Sequence, residues 1–378
     1  MFSFGHDVDQ EFKDIVLSYP IEILKLHGIA KTDPFQLADE YYKASSVVDM
    51  SIDPNANVGG KSPVNFQTEI FKPIMKLRSY YLIWKRLKEQ HGGKVAKRIL
   101  EACLNGSLYP NDLVKWEIPY CFAVDSSFWA TQGRPYGFLP GGIPNKLQSF
   151  IGQTVEVIMD LSQEMAGAVG IANVLVNAAY YSQQDRKQLI KAVDYMKKLN
   201  LLDEDITEIL LRMFSHSEND YAKKRKQLLS MSFDKSAYSA VHYLYDLFIR
   251  DIFQQLVHVT NNSFRLGGDS PFSNVSLFCR ETLIKTFADA KYPDWTSPVD
   301  NLEEIIHLQK IFADFIAKGS PITGKNYKFP IVTVNIAVNS EGKIVDNEFF
   351  EYIARLNAKR GNFNFHIGER IATCCRLT

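Results

Sequence analysis

The stretch "YKFPIVTVNIAV" (327–338) is the clearest strand in the chain, and its isolation among helical patterns constrains the fold most. β-branched residues crowd it, as a short pleated segment favours. Only two other runs look strand-like: "WEIPYCFAVD" (116–125), and the end of "NNSFRLGGDSPFSNVSLF" (261–278). Helical patterns fill most of the rest. Residues 8–50 mix polar and apolar positions as helices do. Residues 65–104 place Ile70, Ile74, Leu77, Tyr81 and Trp84 at steps of three or four. Residues 146–182 read as helix throughout, and 185–258 as helix, break, helix, break, helix. The last of these puts Ala237, Val241, Leu244, Phe248, Ile252 and Leu256 on one face. Two more helices are expected near 301–318 and 347–359, the second followed by a terminal loop. Polar, Gly- and Pro-rich loops are expected at 51–63 and 131–146. Few strands between long helical stretches predict an α/β fold, a barrel or a layered sheet with large helical insertions.

Composition narrows the function. Lys and Arg total 43, Asp and Glu total 43, so no bulk charge draws the chain to nucleic acid or to an anionic membrane. The most apolar stretch, "AGAVGIANVLVNAAYY" (166–181), is short and interrupted by Asn173 and Asn177, which fits a buried helix better than a membrane span. The start, "MFSFGHDVDQEF", lacks a basic segment followed by an apolar run. Five scattered cysteines do not make a disulfide framework. The expectation is a cytoplasmic protein.

Several motifs invite a functional reading that their context weakens. "NANVGGKS" (55–62) has Asn55 where a phosphate loop needs glycine, and it follows no strand. "AKKRKQ" (222–227) lies beside Glu218 and Asp220 without an aromatic ladder, so it reads as a solvated helix face. The eight histidines show no metal-ligand spacing, and no metal site is expected. The GGDSPF loop (267–272) could hold an anion against Gly267, Gly268, Ser270 and Ser273, or simply lead into a strand.

The cysteines divide into two kinds. Cys103, Cys121 and Cys279 lie in apolar contexts and read as small buried hydrophobes. Cys374 and Cys375 lie in a polar loop between Arg370 and Arg376, where cationic charge favours a thiolate. The residues alone leave a reactive role and an inert one both open.

Five blocks, in order, resemble one family: the anaerobic (class III) ribonucleoside-triphosphate reductases of the glycyl radical enzyme superfamily. "NANV" looks like the family's first block. "PYCFAVD" with "IPNKLQSFIGQTVEVIMDLSQEMAGA" looks like the strand carrying a substrate-facing cysteine and the helix after it. "NNSFRLGGDSPFSNVSL" is similar to the family's S-Q-S-P-F-T-N loop, "FPIVTVNI" to F-P-I-P-T-x-N-I, and "CCRL" to the fingertip loop with the radical cysteine. The resemblance covers about 51–378. It implies the first half of a ten-stranded α/β barrel with large helical insertions, residues 1–50 being a helical segment without an ATP-cone pattern.

The resemblance also implies residue roles. Cys375, immediately before Arg376, would carry the thiyl radical, with Cys374 the lesser candidate. The thiyl would take hydrogen from the ribose 3′ carbon, the 2′ hydroxyl would leave as water, and Cys121 would supply a reducing equivalent. Tyr120, Ser270, Pro271, Phe272 and Asn274 would line the nucleotide pocket, with Thr333 and Asn335 helping from the next strand. Implied partners are a ribonucleotide substrate, dNTP effectors, formate or a redoxin as reductant, a radical S-adenosylmethionine iron–sulfur activase, and a second copy in a homodimer. The glycyl radical and a zinc site are expected beyond the fingertip, in a C-terminal half not present in these residues. The chain would therefore be an incomplete or split part of the enzyme, inactive alone. Departures from the family include Asp269 for glutamine, Val332 for proline, and "GSLYPNDL" where the family carries a histidine-rich block. Two other readings remain at this stage: a non-catalytic half-barrel that binds nucleotide or a partner, and a different glycyl radical enzyme akin to pyruvate formate-lyase.

Overall fold

The computed structural model describes residues 7–26, 39, 63–110, 113, 118–134, 140–165, 167–230, 236–262 and 270–368. Residues 51–62 of the loop expected at 51–63, the glycines and Asp269 of the GGDSPF loop, and Cys374 and Cys375 lie outside them. The chain divides into two compact units, Met1–Tyr120 with Gln163–Gly167 and Ser263–Ser270, and Cys121–Ser162 with Ala168–Asn262 and Pro271–Thr378.

The first unit is helical where described: α1 (Gln10–Leu17), α2 (Ile21–Leu26), α3 (Pro63–His91) and α4 (Gly93–Leu104). Asp9 starts α1 by accepting the Glu11 amide at 2.9 Å, which satisfies a donor that the helix leaves unpaired. Of the predicted stripe at 65–104, Leu77, Tyr81 and Trp84 pack into the core, Trp84 against Phe12 with ring centres 5.8 Å apart, whereas Ile74 is exposed.

The second unit is built on a parallel sheet in chain order: β1 (Phe122–Ala123), β2 (Val169–Gly170), β3 (Ser273–Phe278), β4 (Ile331–Ile336) and β5 (Phe363–Ile367). Parallel neighbours require long crossovers, and helices supply them. These are α5 (Ser127–Gln132) and α6 (Leu147–Glu164), then α7 (Val174–Lys198), α8 (Asp203–Met213), α9 (Glu218–Ser230) and α10 (Ala237–Thr260), then α11 (Arg280–Phe287) and α12 (Leu302–Lys318), and last α13 (Asn347–Arg360).

Three expectations are corrected. Residues 146–182 are not one helix: β2 interrupts them, with Ala168, Val169 and Ile171 fully buried in the sheet. Four helices, not three, fill 174–260. The region after α13 is not only loop, because Gly361 ends the helix with φ 69° and β5 begins two residues later.

The helices hold the strand ends with buried polar groups. Gln309 of α12, fully buried, donates to the Phe278 carbonyl at 3.0 Å and accepts from the Phe278 amide at 2.6 Å. Asn261, just past α10, accepts the Lys328 amide at 2.8 Å where the chain approaches β4. Among α7, α10 and α12, Arg186 donates to Asp246 at 3.1 Å and to Glu304 at 3.2 Å, and Asp246 also bonds His307 Nε2 at 3.0 Å.

That network makes stability depend on pH. The hydrogen bond to Asp246 holds His307 above its ordinary value of 6.5, against the opposing effect of burial. A histidine raised in the folded state stabilises fully below its unfolded value, and that contribution disappears as pH rises through the raised one. Chemical denaturation of wild type and His307→Gln should therefore show a stability gap at about pH 6 that narrows toward about pH 9. A gap independent of pH would show that the pair does not titrate as described.

Candidate active site

The two faces of the sheet differ in character. Side chains alternate along a strand and match across parallel neighbours. Asn274 of β3 donates from Nδ2 to Thr333 Oγ1 of β4 at 3.0 Å, so these two share a face. Alternation adds Ser276 and Asn335. The register Thr333 to Asn364 and Asn335 to His366 extends the same face to β5. In the other direction Asn274 pairs with Gly170, and Gly170 with Ala123. The opposite face carries Val275, Leu277, Val332, Val334, Ile336, Phe363 and Phe365, and Phe365 meets Phe350 of α13 with ring centres 5.5 Å apart. One face is thus apolar and covered by helices. The other is polar, although Asn274, Ser276, Thr333 and Asn335 are all buried.

A buried polar face is costly unless its groups are paired. Asn274 Oδ1 is buried and has no hydrogen-bond partner among the described residues. It is an acceptor suited to a hydroxyl or amino donor, and leaving it unmet costs about 1–3 kcal/mol. The polar strand residues of this face carry hydroxyl, amide and imidazole groups and no formal carboxylate or ammonium charge, and Phe278 and Ile331 stand among them. Such a surface suits a neutral polyhydroxyl group better than a phosphate chain.

Cys121 lies one residue before β1, on the side shared by Ala123. It is a half-buried free thiol whose Sγ accepts the Ala168 amide at 3.4 Å. Pro271 and Phe272 precede β3. Pro271 is buried, Phe272 is half-buried, and the Phe272 ring stands edge-on to Phe329 at 5.0 Å. Cys121, Pro271, Phe272, Asn274, Thr333 and Asn335 all lie in the second unit, where Asn274 and Thr333 touch and the register sets Asn335 level with Phe278, four residues along from Asn274. Tyr120 and Ser270 belong to the first unit, where the Tyr120 carbonyl accepts the Gly167 amide and its side chain is mostly exposed. Cys374 and Cys375 lie outside the described residues.

Sequence reasoning missed Ser276, Asn364 and His366. The signal was present: "FNFHI" (363–367) alternates apolar and polar positions strictly, the pattern of a half-buried strand. Among the described residues no group of three His, Cys, Asp or Glu side chains is placed to hold a metal ion, and no helix is long and apolar enough to cross a membrane.

The fold is shared with solved reductases. The anaerobic ribonucleotide reductase from Thermotoga maritima, crystallised in complex with dATP and CTP, matches with a TM-score of 0.71 at 22% identity, over 98% of this chain and 51% of that one. A second structure described as an anaerobic ribonucleotide reductase matches with a TM-score of 0.72 at 24% identity, over 100% of this chain and 52% of that one. The chain thus spans about half the length of the solved structures it matches. Comparison with curated proteins gave no match. The family described as anaerobic ribonucleoside-triphosphate reductase matches residues 75–378, and the chain belongs to that family.

Proposed function

We propose that this chain is the portion of an anaerobic ribonucleotide reductase that binds the ribonucleotide and carries its two reacting cysteines. The five strands are then one half of a ten-stranded barrel, with the polar face turned toward the substrate. The observation that carries this reading is the buried pair Asn274 and Thr333, whose spare acceptor Asn274 Oδ1 suits a ribose hydroxyl. Asn335, Phe272 and Pro271 complete the pocket. Cys375 takes the hydrogen from the ribose 3′ carbon as a thiyl radical, and Cys121 returns a reducing equivalent after water has left. Cys374 neighbours the radical site without carrying it.

Neither an R-V-x-G-Y loop nor a C-x-x-C pair occurs in these 378 residues. The glycyl radical that generates the thiyl, and the zinc site, are assigned to sequence outside them, with a radical S-adenosylmethionine activase installing the radical. Formate or a redoxin closes the cycle. A Thermotoga maritima reductase structure has dATP bound in the specificity site. Control by dNTP effectors, and assembly as a homodimer, are extended to this protein on that likeness.

The test is an activated, complete enzyme assayed for 2′-deoxynucleotide formation from each ribonucleoside triphosphate. Asn274→Ala should raise KM about tenfold with kcat nearly unchanged, the signature of one lost hydrogen bond made equally to substrate and transition state. An unchanged KM would remove Asn274 from the pocket.

A further inference from the structure

We infer that Thr333 is a positioning residue: it holds the Asn274 amide with its carbonyl end free, so that this point of the pocket takes a hydroxyl donor and rejects a group that only accepts. The inference rests on the reductase reading above. Asn274 Nδ2 donates to Thr333 Oγ1 at 3.0 Å, and both side chains are buried. Asn274 Oδ1 is the end left without a partner among the described residues. Thr333 is a firm anchor for the other end. It sits inside β4, in register with Ser276 of β3 on one side and Asn364 of β5 on the other, so its backbone is fixed from both directions. Its branched Cβ restricts χ1 as well. Asn364 directs its own amide nitrogen to the Val332 carbonyl, 3.4 Å away, which leaves the threonine oxygen to Asn274.

The anchor matters because an asparagine amide has a donor end and an acceptor end of nearly the same shape, and a half-turn about χ2 exchanges them. Unheld, Asn274 would offer either end to a ligand. In the observed orientation only a carbonyl oxygen lacks a partner. Turned over, the amide would instead leave the donors of a buried nitrogen unmet, and buried N–H groups without partners are rarer than under-satisfied carbonyls. The bond to Thr333 therefore sets the polarity of this point. A ribose hydroxyl donates to Oδ1. The ring oxygen of the sugar, a phosphate oxygen or a fluorine has no proton to give, and each would set its own lone pairs against those of the carbonyl. A sugar without the hydroxyl leaves Oδ1 buried and unmet, which is how a site built for a hydroxyl rejects an analogue lacking one.

The test is isothermal titration of the complete enzyme before activation, so that binding is read without turnover. The probes are CTP and its 2′-fluoro-2′-deoxy and 3′-fluoro-3′-deoxy analogues, in each of which fluorine replaces one hydroxyl at similar size. Wild type should bind one of the two analogues about tenfold more weakly than CTP, the worth of one hydrogen bond. Thr333→Val keeps the shape and removes the hydroxyl, and it should bring that ratio to within about twofold. Thr333→Ser keeps the hydroxyl and should retain the ratio. Asn274→Ala should lose the ratio too, and adding Thr333→Val to it should change the ratio no further. A packing role for Thr333 gives the opposite pattern, with the ratio kept in Thr333→Val and binding disturbed in Thr333→Ser, which loses a methyl group. The inference is overturned if Thr333→Val discriminates as wild type does. If that variant does not fold, a wild type that binds all three nucleotides within about twofold of one another overturns it equally. A wild-type enzyme that forms no deoxynucleotide once activated would instead overturn the reductase reading on which the inference rests.

Discussion

Cys375→Ser should reduce deoxynucleotide formation by the activated enzyme to background, while ribonucleotide binding changes less than about twofold. The substitution replaces sulfur with oxygen at nearly constant size, so a side chain that only packs would be little disturbed. A radical carrier is affected very differently. The O–H bond of serine is much stronger than a thiol S–H, so the hydroxyl cannot pass its hydrogen to a protein radical and later recover one from the sugar. The loss should therefore fall on kcat and leave binding alone. Cys374→Ser is the matched control, one residue away in the same polar stretch of sequence between Arg370 and Arg376, and it should keep most of its turnover. The reverse result would move the radical to Cys374. Turnover in both single variants would remove these two cysteines from the chemistry. Isothermal titration with the ribonucleotide, run beside the assay, separates lost chemistry from lost binding.

The parts of this fold that sequence reveals are those where one local pattern dominates. β4 is a six-residue run made almost entirely of β-branched residues, and β3 alternates polar and apolar residues from Asn274 to Leu277, so both are legible. β2 is not, because Val169 and Gly170 pair at only two positions inside a long apolar stretch. A short apolar run buried on both faces carries no periodicity to separate strand from helix. β5 was legible in principle through its alternation, but the Asn- and Gly-rich sequence around it suggests a loop. The site follows the same division. Asn274, Thr333 and Asn335 were named through resemblance and do share one face. Ser276, Asn364 and His366 emerge only when the register aligns three strands, since no motif links residues that far apart in the chain. The helix-side groups that fix the strand ends, Gln309 and Asn261, are invisible for the same reason: a glutamine or asparagine in a helical region reads as surface until its partner is known.

Cys121→Ser should also abolish multiple turnovers, by a different route. In the proposed cycle Cys121 delivers a reducing equivalent after the 2′ hydroxyl has left, so the early steps do not need its thiol. Substrate binding and hydrogen abstraction at the 3′ carbon should survive in Cys121→Ser, and only the later reduction should fail. The radical intermediate would then be stranded on the sugar, and the expected outcome is base release or loss of the enzyme radical in place of deoxynucleotide. Electron paramagnetic resonance after substrate addition, with product analysis, distinguishes this from simple inactivity. The structure makes the substitution mild for the fold. Cys121 Sγ accepts the Ala168 amide at 3.4 Å, a bond that a serine hydroxyl can replace, and the thiol is half-buried. A loss of turnover therefore cannot be assigned to a collapsed β1–β2 pair if thermal unfolding shifts by less than a few degrees. Undiminished turnover would return Cys121 to the inert, space-filling role that its apolar surroundings first suggested, and would leave the polar face as a binding surface alone.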